Sequence, residues 1–310
     1  MVKELLLGDN PFIGVSHLTQ DKAREETREA SLDNKVMVFE AARKAGATGF
    51  VFSTHESNLE LLTYLSVHRR DLLNAMNYYV LLPYVQSYVR RANIGGTPML
   101  LRLILTNMLC STSTIRDVLA ALTSLEPERF AGLFINAELN PYLGVLPRER
   151  VKAVLLHEIL TDCLVAYGLT DLLSSLESCV RKRIGFSFGL HTKNFGHLFK
   201  QRSSAINCPE YLMTSLNPLG YMMAPSKQAV EEILQEIGEK TKIIAINVLA
   251  SGAVTLHDSL RYLARFKDQI YAVSSASSKP KRIYENFQTI RAHLARTFPS
   301  ASSDETAKKP

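Results

Sequence analysis

Acidic, basic and amide side chains recur directly after short apolar runs along this chain. Glu138 ends one such run, 134–137, so its carboxylate should be partly removed from water. Because burial disfavours the charged form, the pKa of Glu138 should rise into the range that is useful for proton transfer. We therefore expect Glu138 to be a general acid or base; the alternative is a structural ion pair, for example with Lys193.

His191 and Lys193 follow another apolar run and are two residues apart. In one loop they could bind an anion or move a proton, and Lys193 could form an imine with a carbonyl compound. His157 begins the segment H-E-I-L-T, which is not a metal-binding H-E-x-x-H. We therefore expect His157 to be a packing or surface residue of a helix.

Seven further polar or aromatic side chains also lie just after short apolar runs. Asp9, His55 and Tyr84 complete the catalytic candidates, which are Asp9, His55, Tyr84, Glu138, His191 and Lys193. The substrate-binding candidates are Asn10, Asn140, Asn217 and Tyr221. A divalent metal would find nitrogen and oxygen ligands in Asp9, His55, Glu138 and His191. No pair among these has a spacing specific to a metal site, so no residue is assigned as a metal ligand.

The apolar runs alternate with longer segments of helical period, which is the pattern of repeated βα units. Eight runs predict strands at 4–7, 49–53, 78–82, 133–137, 184–188, 211–215, 243–248 and 270–274. We infer an α/β fold, a (β/α)8 TIM barrel. Extra helices are expected between strands three and four, within 85–130, and between strands four and five, within 141–183, where 151–167 has a helical period. A doubly wound open sheet is the alternative, but Gly8-Asp9-Asn10-Pro11 lacks its glycine-rich first turn. One domain should span 1–298, and 299–310 should be a disordered tail.

Small residues follow the last two predicted strands. Ser251 and Gly252 come after strand seven, and Ser275 and Ser277 come after strand eight, just before a helix. Free backbone N–H groups and the helix dipole at such a position favour phosphate. The alternative is that these residues only make tight turns and cap the helix. We predict a phosphate-bearing ligand here.

The composition is that of an ordinary globular protein, with 46% hydrophobic and 21% charged residues. The net charge of +6 favours anionic ligands, but the basic residues are scattered, so we expect a small-molecule ligand and no nucleic acid. Four cysteines without C-x-x-C spacing, the lack of a signal-peptide core and the lack of an apolar stretch of about 20 residues predict a cytoplasmic protein with no membrane segment. The oligomeric state stays open.

The segment 280–288, P-K-R-I-Y-E-N-F-Q, resembles the P-x-R-I-x-E-N-F-Q segment of the aldo/keto reductases, and 244–253 with 259–262 resembles their strand-seven region. The resemblance covers the last third of the chain. It implies a TIM barrel and NADPH, whose adenosine 2′-phosphate that family holds with its last loop and helix. The matching residues here are Ser277, Arg282, Glu285 and Asn286.

The same family uses an Asp and a Tyr after strand two, a Lys after strand three and a His after strand four. The corresponding segments here, taken as 49–58, 80–84 and 134–138, contain no member of this tetrad. Three functions therefore stay open. They are an NADPH-dependent oxidoreductase with a non-standard active site, a lyase or isomerase acting on a phosphorylated small molecule, and a non-catalytic ligand-binding barrel. A divalent metal is the second cofactor option.

Overall fold

Eight parallel strands close into a barrel in which each strand is hydrogen-bonded to the next and the eighth to the first. The computed structural model describes residues 2–14, 30–85, 93, 127–200, 209–237 and 241–294. The strands are β1 (Glu4–Gly8), β2 (Gly49–Ser53), β3 (Asn77–Leu82), β4 (Val151–Leu156), β5 (Ser187–Thr192), β6 (Tyr211–Ser215), β7 (Lys242–Ile246) and β8 (Ile270–Ser275). The predicted (β/α)8 TIM barrel is confirmed.

Helices surround the barrel in the described ranges. They are α1 (Leu32–Lys44), α2 (Glu56–His68), α3 (Arg70–Asn74), α4 (Pro127–Leu143), α5 (Glu158–Ala166), α6 (Thr170–Ser178), α7 (Phe195–Lys200), α8 (Lys227–Ile237), α9 (Leu256–Leu263) and α10 (Pro280–Leu294). Side-chain caps fix several of their first turns; Ser31 accepts from the N–H of Asn34 and Thr255 from that of Asp258. Each cap sets where the chain turns from a loop into a helix.

Apolar side chains fill both faces of the strands. Leu6, Tyr79 and Ile244 belong to a cluster inside the barrel, whereas Leu5 and Phe50 belong to the larger cluster between strands and helices. A parallel strand that is buried on both faces has no polar side to show in its sequence. This explains why the strand-forming runs lack apolar and polar alternation.

The predicted position of strand four was wrong. Residues 133–137 lie inside α4, and β4 is formed by Val151–Leu156, which pairs with β3 on one side and β5 on the other. This strand lies within 151–167, where the apolar period predicts a helix. A short continuous apolar run is compatible with a buried strand and with a buried helix turn, and periodicity alone does not separate the two.

Strand five was predicted at 184–188 but spans Ser187–Thr192. The segment Cys179–Ile184 is a π-helical turn that continues α6, and Gly185 ends it with a left-handed φ of 83°. Because glycine adopts this conformation at little steric cost, it commonly ends a helix. The strand therefore begins after Gly185, and His191 lies within it instead of following it.

The predicted extra helices were placed at 85–130 and 141–183. Most of the first range lies outside the described residues, although α4 does stand between β3 and β4. Two helices, α5 and α6, separate β4 from β5, as predicted. The predicted disordered tail at 299–310 also lies outside the described residues. None of the helices in the described ranges is long and apolar enough to cross a membrane.

Candidate functional site

A cavity of about 350 Å³ opens at the carboxyl ends of the strands. This end is where TIM barrels place their active sites, and the volume is at the lower end of the range for small-molecule pockets. Titratable groups line one part of the cavity, and the loops after β7 and β8 line the other. The charged or titratable side chains among its described lining residues are Asp9, Glu158, His191, Lys193 and Arg282.

The structure brings together most of the residues predicted to bind a cofactor. Six of them line the cavity, namely Ser251, Gly252, Ser275, Ser277, Arg282 and Asn286. Glu285 is the exception, since it is exposed on α10 and its carboxylate lies 4.0 Å from Lys281 Nζ. Ser277 Oγ accepts from the backbone N–H of Lys279, as the helix-capping alternative expected. Capping does not occupy the hydroxyl hydrogen, so Ser277 could still donate to a ligand.

The loop after β7 has an unusual backbone. Asn247, Ala250 and Ser251 all have positive φ angles between 45° and 58°, and Gly252 has a φ of 90°. Non-glycine residues rarely adopt this conformation, and such strain often marks a binding site. Ser251 Oγ is buried and has no hydrogen-bond partner in the described structure, although it lies beside the cavity. A hydroxyl in that state is available for a ligand.

Asp9 follows β1 and is buried beside the cavity. Its Oδ2 accepts two hydrogen bonds of 2.8 Å, from the backbone N–H of Ser53 and from Asn58 Nδ2. Burial nevertheless raises the pKa of Asp9 from 3.8 to about 6, because the hydrogen bonds only partly offset the loss of water. Asp9 can therefore exchange a proton near neutral pH.

Glu158 holds His191 and Lys193 together at the same cavity. Its Oε2 lies 2.8 Å from His191 Nε2, and its Oε1 accepts from Lys193 Nζ. Burial raises the pKa of Glu158, but these two contacts and their charges lower it further than burial raises it, so the carboxylate is ionised. Asp162 fixes the base of Lys193 by accepting from its backbone N–H. The predicted grouping of His191 and Lys193 is thus present, and its centre is a carboxylate that the sequence analysis did not select.

Glu138 reaches the mouth of the barrel from an unexpected element. It lies on α4, not after β4, because the run 133–137 is helical. Its Oε2 accepts a 2.5 Å hydrogen bond from Thr54 Oγ1, and burial raises its pKa to about 7. Glu138 is not among the described residues that line the cavity. Lys193 forms its ion pair with Glu158 instead of with Glu138.

Four aromatic rings form a row across the strand ends. The ring centroids of His55 and Tyr84 are 5.0 Å apart, those of Tyr84 and His157 6.5 Å, and those of His157 and His191 5.8 Å. His157 directly follows β4 and is buried, which corrects its predicted position within a helix. Burial lowers its pKa to about 4, with a smaller contribution from His191, so this imidazole is neutral at pH 7.

The structure does not bring the four substrate-binding candidates together at the cavity. Asn10 lines the cavity, whereas Asn140 lies on α4. Asn217 is fully buried and clamps its own turn, donating to the carbonyl of Tyr221 and accepting from the N–H of Tyr221 at 2.8 and 2.9 Å. Neither Asn217 nor Tyr221 lines the cavity. In the described part of the chain no group of three or more His, Cys, Asp and Glu side chains could hold a metal ion.

The cavity or mouth residues that were not among the predicted site residues include His157, Glu158 and Asn247. The first two directly follow β4, so a correct position for that strand would have revealed them. Asn247 follows β7, and its Nδ2 donates to Ser215 Oγ at 2.8 Å. The predicted strand at 243–248 included Asn247, whereas β7 ends at Ile246. The available signal was the residue type, since asparagine tolerates positive φ better than most residues.

Comparison with known proteins gives a clear answer about the fold only. No protein-family model matches the sequence, and no curated protein matches it. Solved structures do match: a Pseudomonas aeruginosa protein assigned to the aldo-keto reductases has a TM-score of 0.54 at 15% identity, covering 94% of this chain and 92% of its own. The barrel resembles that of the aldo-keto reductases. The resemblance therefore spans nearly the whole chain and not only the last third.

Two further solved structures support the same fold. The holo form of an aldo-keto reductase from Bacillus halodurans and a glycerol dehydrogenase from Gluconobacter oxydans each have a TM-score of 0.52 at 10% identity, with 98% of this chain and 95% of theirs covered. Identities this low indicate shared architecture and do not transfer chemistry. The tetrad as a set is unmatched, although the corrected β4 places a histidine, His157, after strand four.

Proposed function

We propose that this chain is an oxidoreductase that binds NADPH along the cavity and reduces a carbonyl compound next to Lys193, which follows β5. The observation that supports this most is the continuity of the cavity. The same space is lined by the phosphate-type loops after β7 and β8 and by Asp9, Glu158 and Lys193. A dinucleotide needs such an arrangement, with phosphate-binding loops at one end and proton-transferring groups at the other.

The residues after β7 and β8 fit the phosphate part of such a cofactor. Among the described residues, Ser251 Oγ has no hydrogen-bond partner, and a Cβ at Gly252 would have no atom within 4 Å, so the backbone there is open to a close approach. Arg282 contributes a guanidinium group to the cavity wall, suited to a 2′-phosphate. When bound, the cofactor supplies the hydride.

Two titratable residues of the cavity wall, Lys193 and Asp9, supply the proton chemistry. Lys193 offers an ammonium group whose position is fixed by Glu158, and it can donate to a carbonyl oxygen. Asp9, with its pKa of about 6, can hold or release a proton at the cavity wall. No step here needs the tetrad of the aldo/keto reductases. In line with this function we propose a small-molecule ligand, no nucleic-acid partner and a cytoplasmic protein.

Cofactor titration tests the proposal. NADPH should bind with micromolar affinity by calorimetry, and Arg282→Met should weaken NADPH binding by about tenfold or more while changing NADH binding little, because only NADPH carries the 2′-phosphate. Arg261→Met is the matched control, since Arg261 is exposed on α9 and pairs with Asp258 and His257 of its own helix. Failure of NADPH to bind at millimolar concentration would remove the proposal.

A second function uses the same cavity differently. A phosphorylated small molecule could place its phosphate at Ser251 and Ser275 and its reacting carbon near Asp9, which would act as the base of a lyase or isomerase. Asp9 lines the cavity and has a raised pKa, which favours Asp9 over Glu138 as the base of such a reaction. A thermal-shift screen separates the two functions, because stabilisation by triose or pentose phosphates without any by NADPH would favour this one.

A further inference from the structure

Two basic segments meet at the amino ends of β4 and β5, at the opposite end of the barrel from the cavity. Residues 148–152 lead into β4, and 181–183 come shortly before β5. They contain six lysines and arginines and one glutamate, so these eight residues have a formal net charge of +5, against +6 for the whole chain. The two segments together are termed the basic patch. They are far apart in the sequence, and only the fold makes them one surface.

Arg148 joins the two segments of the basic patch. Its Nη2 donates to the carbonyl oxygen of Ile184, the residue that directly follows 181–183. Its guanidinium carbon also lies 4.6 Å from the centre of the Phe186 ring. A guanidinium group that is held by a carbonyl oxygen and by an aromatic face has a defined position. The two segments are therefore fixed relative to each other before any partner binds.

Three cations of the basic patch have no carboxylate partner in the described structure. No ion pair with another described residue includes Arg150, Lys182 or Arg183, and the last two are exposed. Arg181, in contrast, pairs with Glu177 at 2.9 Å. Unpaired like charges on one surface repel one another, and an anionic partner would relieve this repulsion. The basic patch is therefore suited to bind an anionic partner.

Within its two segments the basic patch exposes no apolar side chain. Val151, Val180, Ile184 and Phe186, which lie in or beside these segments, are all buried. Single-stranded nucleic acids usually stack their bases on exposed aromatic rings, and stable attachment to a membrane surface adds inserted apolar groups to the attraction of charges. An acidic peptide needs neither kind of contact, so the buried state of these side chains favours a peptide.

Two glutamates interrupt the positive charge of the basic patch. Glu149 is exposed between Arg148 and Arg150, and Glu177 precedes Arg181 by one helical turn. A uniformly negative surface, such as a phosphate backbone or an anionic membrane, is repelled by both carboxylates. A peptide can place an uncharged or basic residue opposite each of them, and its own carboxylates can accept two parallel hydrogen bonds from an arginine. The mixed charges therefore also favour a protein partner.

We propose that the basic patch is a docking surface for an acidic segment, rich in Asp and Glu, of a partner protein. A partner bound there leaves the mouth of the cavity open, because the basic patch lies at the other end of the barrel. The inference does not depend on the proposed oxidoreductase function, so either can fail without the other.

A fluorescently labelled decaglutamate peptide tests the proposal by anisotropy. The wild type should bind the peptide at low ionic strength, and added salt should weaken this binding because it screens exposed charges. The patch variant combines Arg150→Gln, Lys182→Gln and Arg183→Gln. It should bind the peptide at least about tenfold more weakly, since three exposed contacts of modest strength are lost together.

The matched control removes the same number of charges elsewhere. It combines Lys44→Gln, Arg261→Gln and Lys267→Gln, which are exposed residues between β1 and β2 or between β7 and β8. The control should change the affinity for decaglutamate less than about twofold. An equal loss in the control and in the patch variant would overturn the inference, because the peptide would then sense only the total charge. Should the patch variant not fold, Lys182→Glu alone makes the same comparison at one exposed residue.

Two other anions decide the class of partner. Decathymidylate has almost as many charges as decaglutamate, and vesicles with about 30% phosphatidylserine present an anionic membrane. Tighter binding of decathymidylate than of decaglutamate would overturn the assignment to a protein partner. Sedimentation of the wild type, but not of the patch variant, with the vesicles would overturn it as well.

Chemical cross-linking locates the bound peptide. A carbodiimide joins carboxylates to the lysine amines that they touch, so it should couple decaglutamate to Lys152 or Lys182, as identified by mass spectrometry. Coupling spread evenly over lysines on other faces of the barrel would contradict the proposal. NADPH titrations of the patch variant and the wild type should agree, because the substituted residues lie away from the cavity.

Discussion

Replacing Asp9 with asparagine should stabilise the protein at neutral pH. Burial raises the pKa of Asp9 from 3.8 to about 6, so the folded state binds this proton more tightly than the unfolded state does. The free energy of unfolding therefore falls as the pH rises from about 4 to 6, and the loss is constant above pH 6. At about 1.4 kcal/mol for each pH unit between the two pKa values, the ionised carboxylate destabilises the fold by roughly 3 kcal/mol.

Asp9→Asn removes the free-energy cost of the buried carboxylate, and the amide oxygen of the new side chain can keep the hydrogen bonds from Ser53 and Asn58. We expect the variant and the wild type to be similarly stable at pH 4, and the variant to be more stable by about 2 to 3 kcal/mol at pH 7.5. Urea unfolding at half-unit steps of pH measures both. The difference between the two proteins isolates Asp9, because other titrating groups contribute equally to each. A difference that stays flat from pH 4 to 6 would refute the burial argument.

Three further substitutions have defined outcomes. Glu138→Gln should stabilise the protein above pH 7, with a pH dependence from about 4.5 to 7, because burial raises the pKa of Glu138 to about 7; urea unfolding measures it. Asn217→Ala should lower the free energy of unfolding by about 1 to 3 kcal/mol in the same assay, since the N–H and carbonyl of Tyr221 lose their partners. Gly189→Ala should lower the temperature of the thermal transition, because its Cβ would lie 2.8 Å from both the backbone oxygen and the Cβ of Tyr211.

The sequence was sufficient for most of the barrel because strand signals were local. Six of the eight predicted strands agree with the structure to within two residues at each end. The small residues around Ser251 and Ser275 also indicated which loops line the cavity. In both cases a few adjacent residues contain the information, either as a buried apolar run or as a turn before a helix.

The wrong position of strand four explains which site residues were missed. Residues 133–137 and 151–156 are both short apolar runs, and only pairing with β3 and β5 decides which is the strand. Choosing the first run placed Glu138 after strand four and hid His157 and Glu158 in a supposed helix. Glu138 still lies at the mouth, since its carboxylate reaches Thr54 from α4. Its raised pKa was thus predicted for the right physical reason and the wrong element.

The histidines after β2 and β4 show why a position at the mouth is weaker evidence of function than a place in the cavity wall. His55 Nδ1 accepts from the N–H of Ser57, and His157 Nδ1 accepts from that of Ile159, so each ring caps the helix that follows its strand. Capping is a sufficient physical reason for either residue, with no catalytic role required. His191 caps no helix among the described contacts. Its Nε2 faces Glu158 at the cavity, and its buried Nδ1 has no hydrogen-bond partner in the described structure. The chemistry of this barrel is therefore better sought around Glu158 than at the histidine that follows strand four.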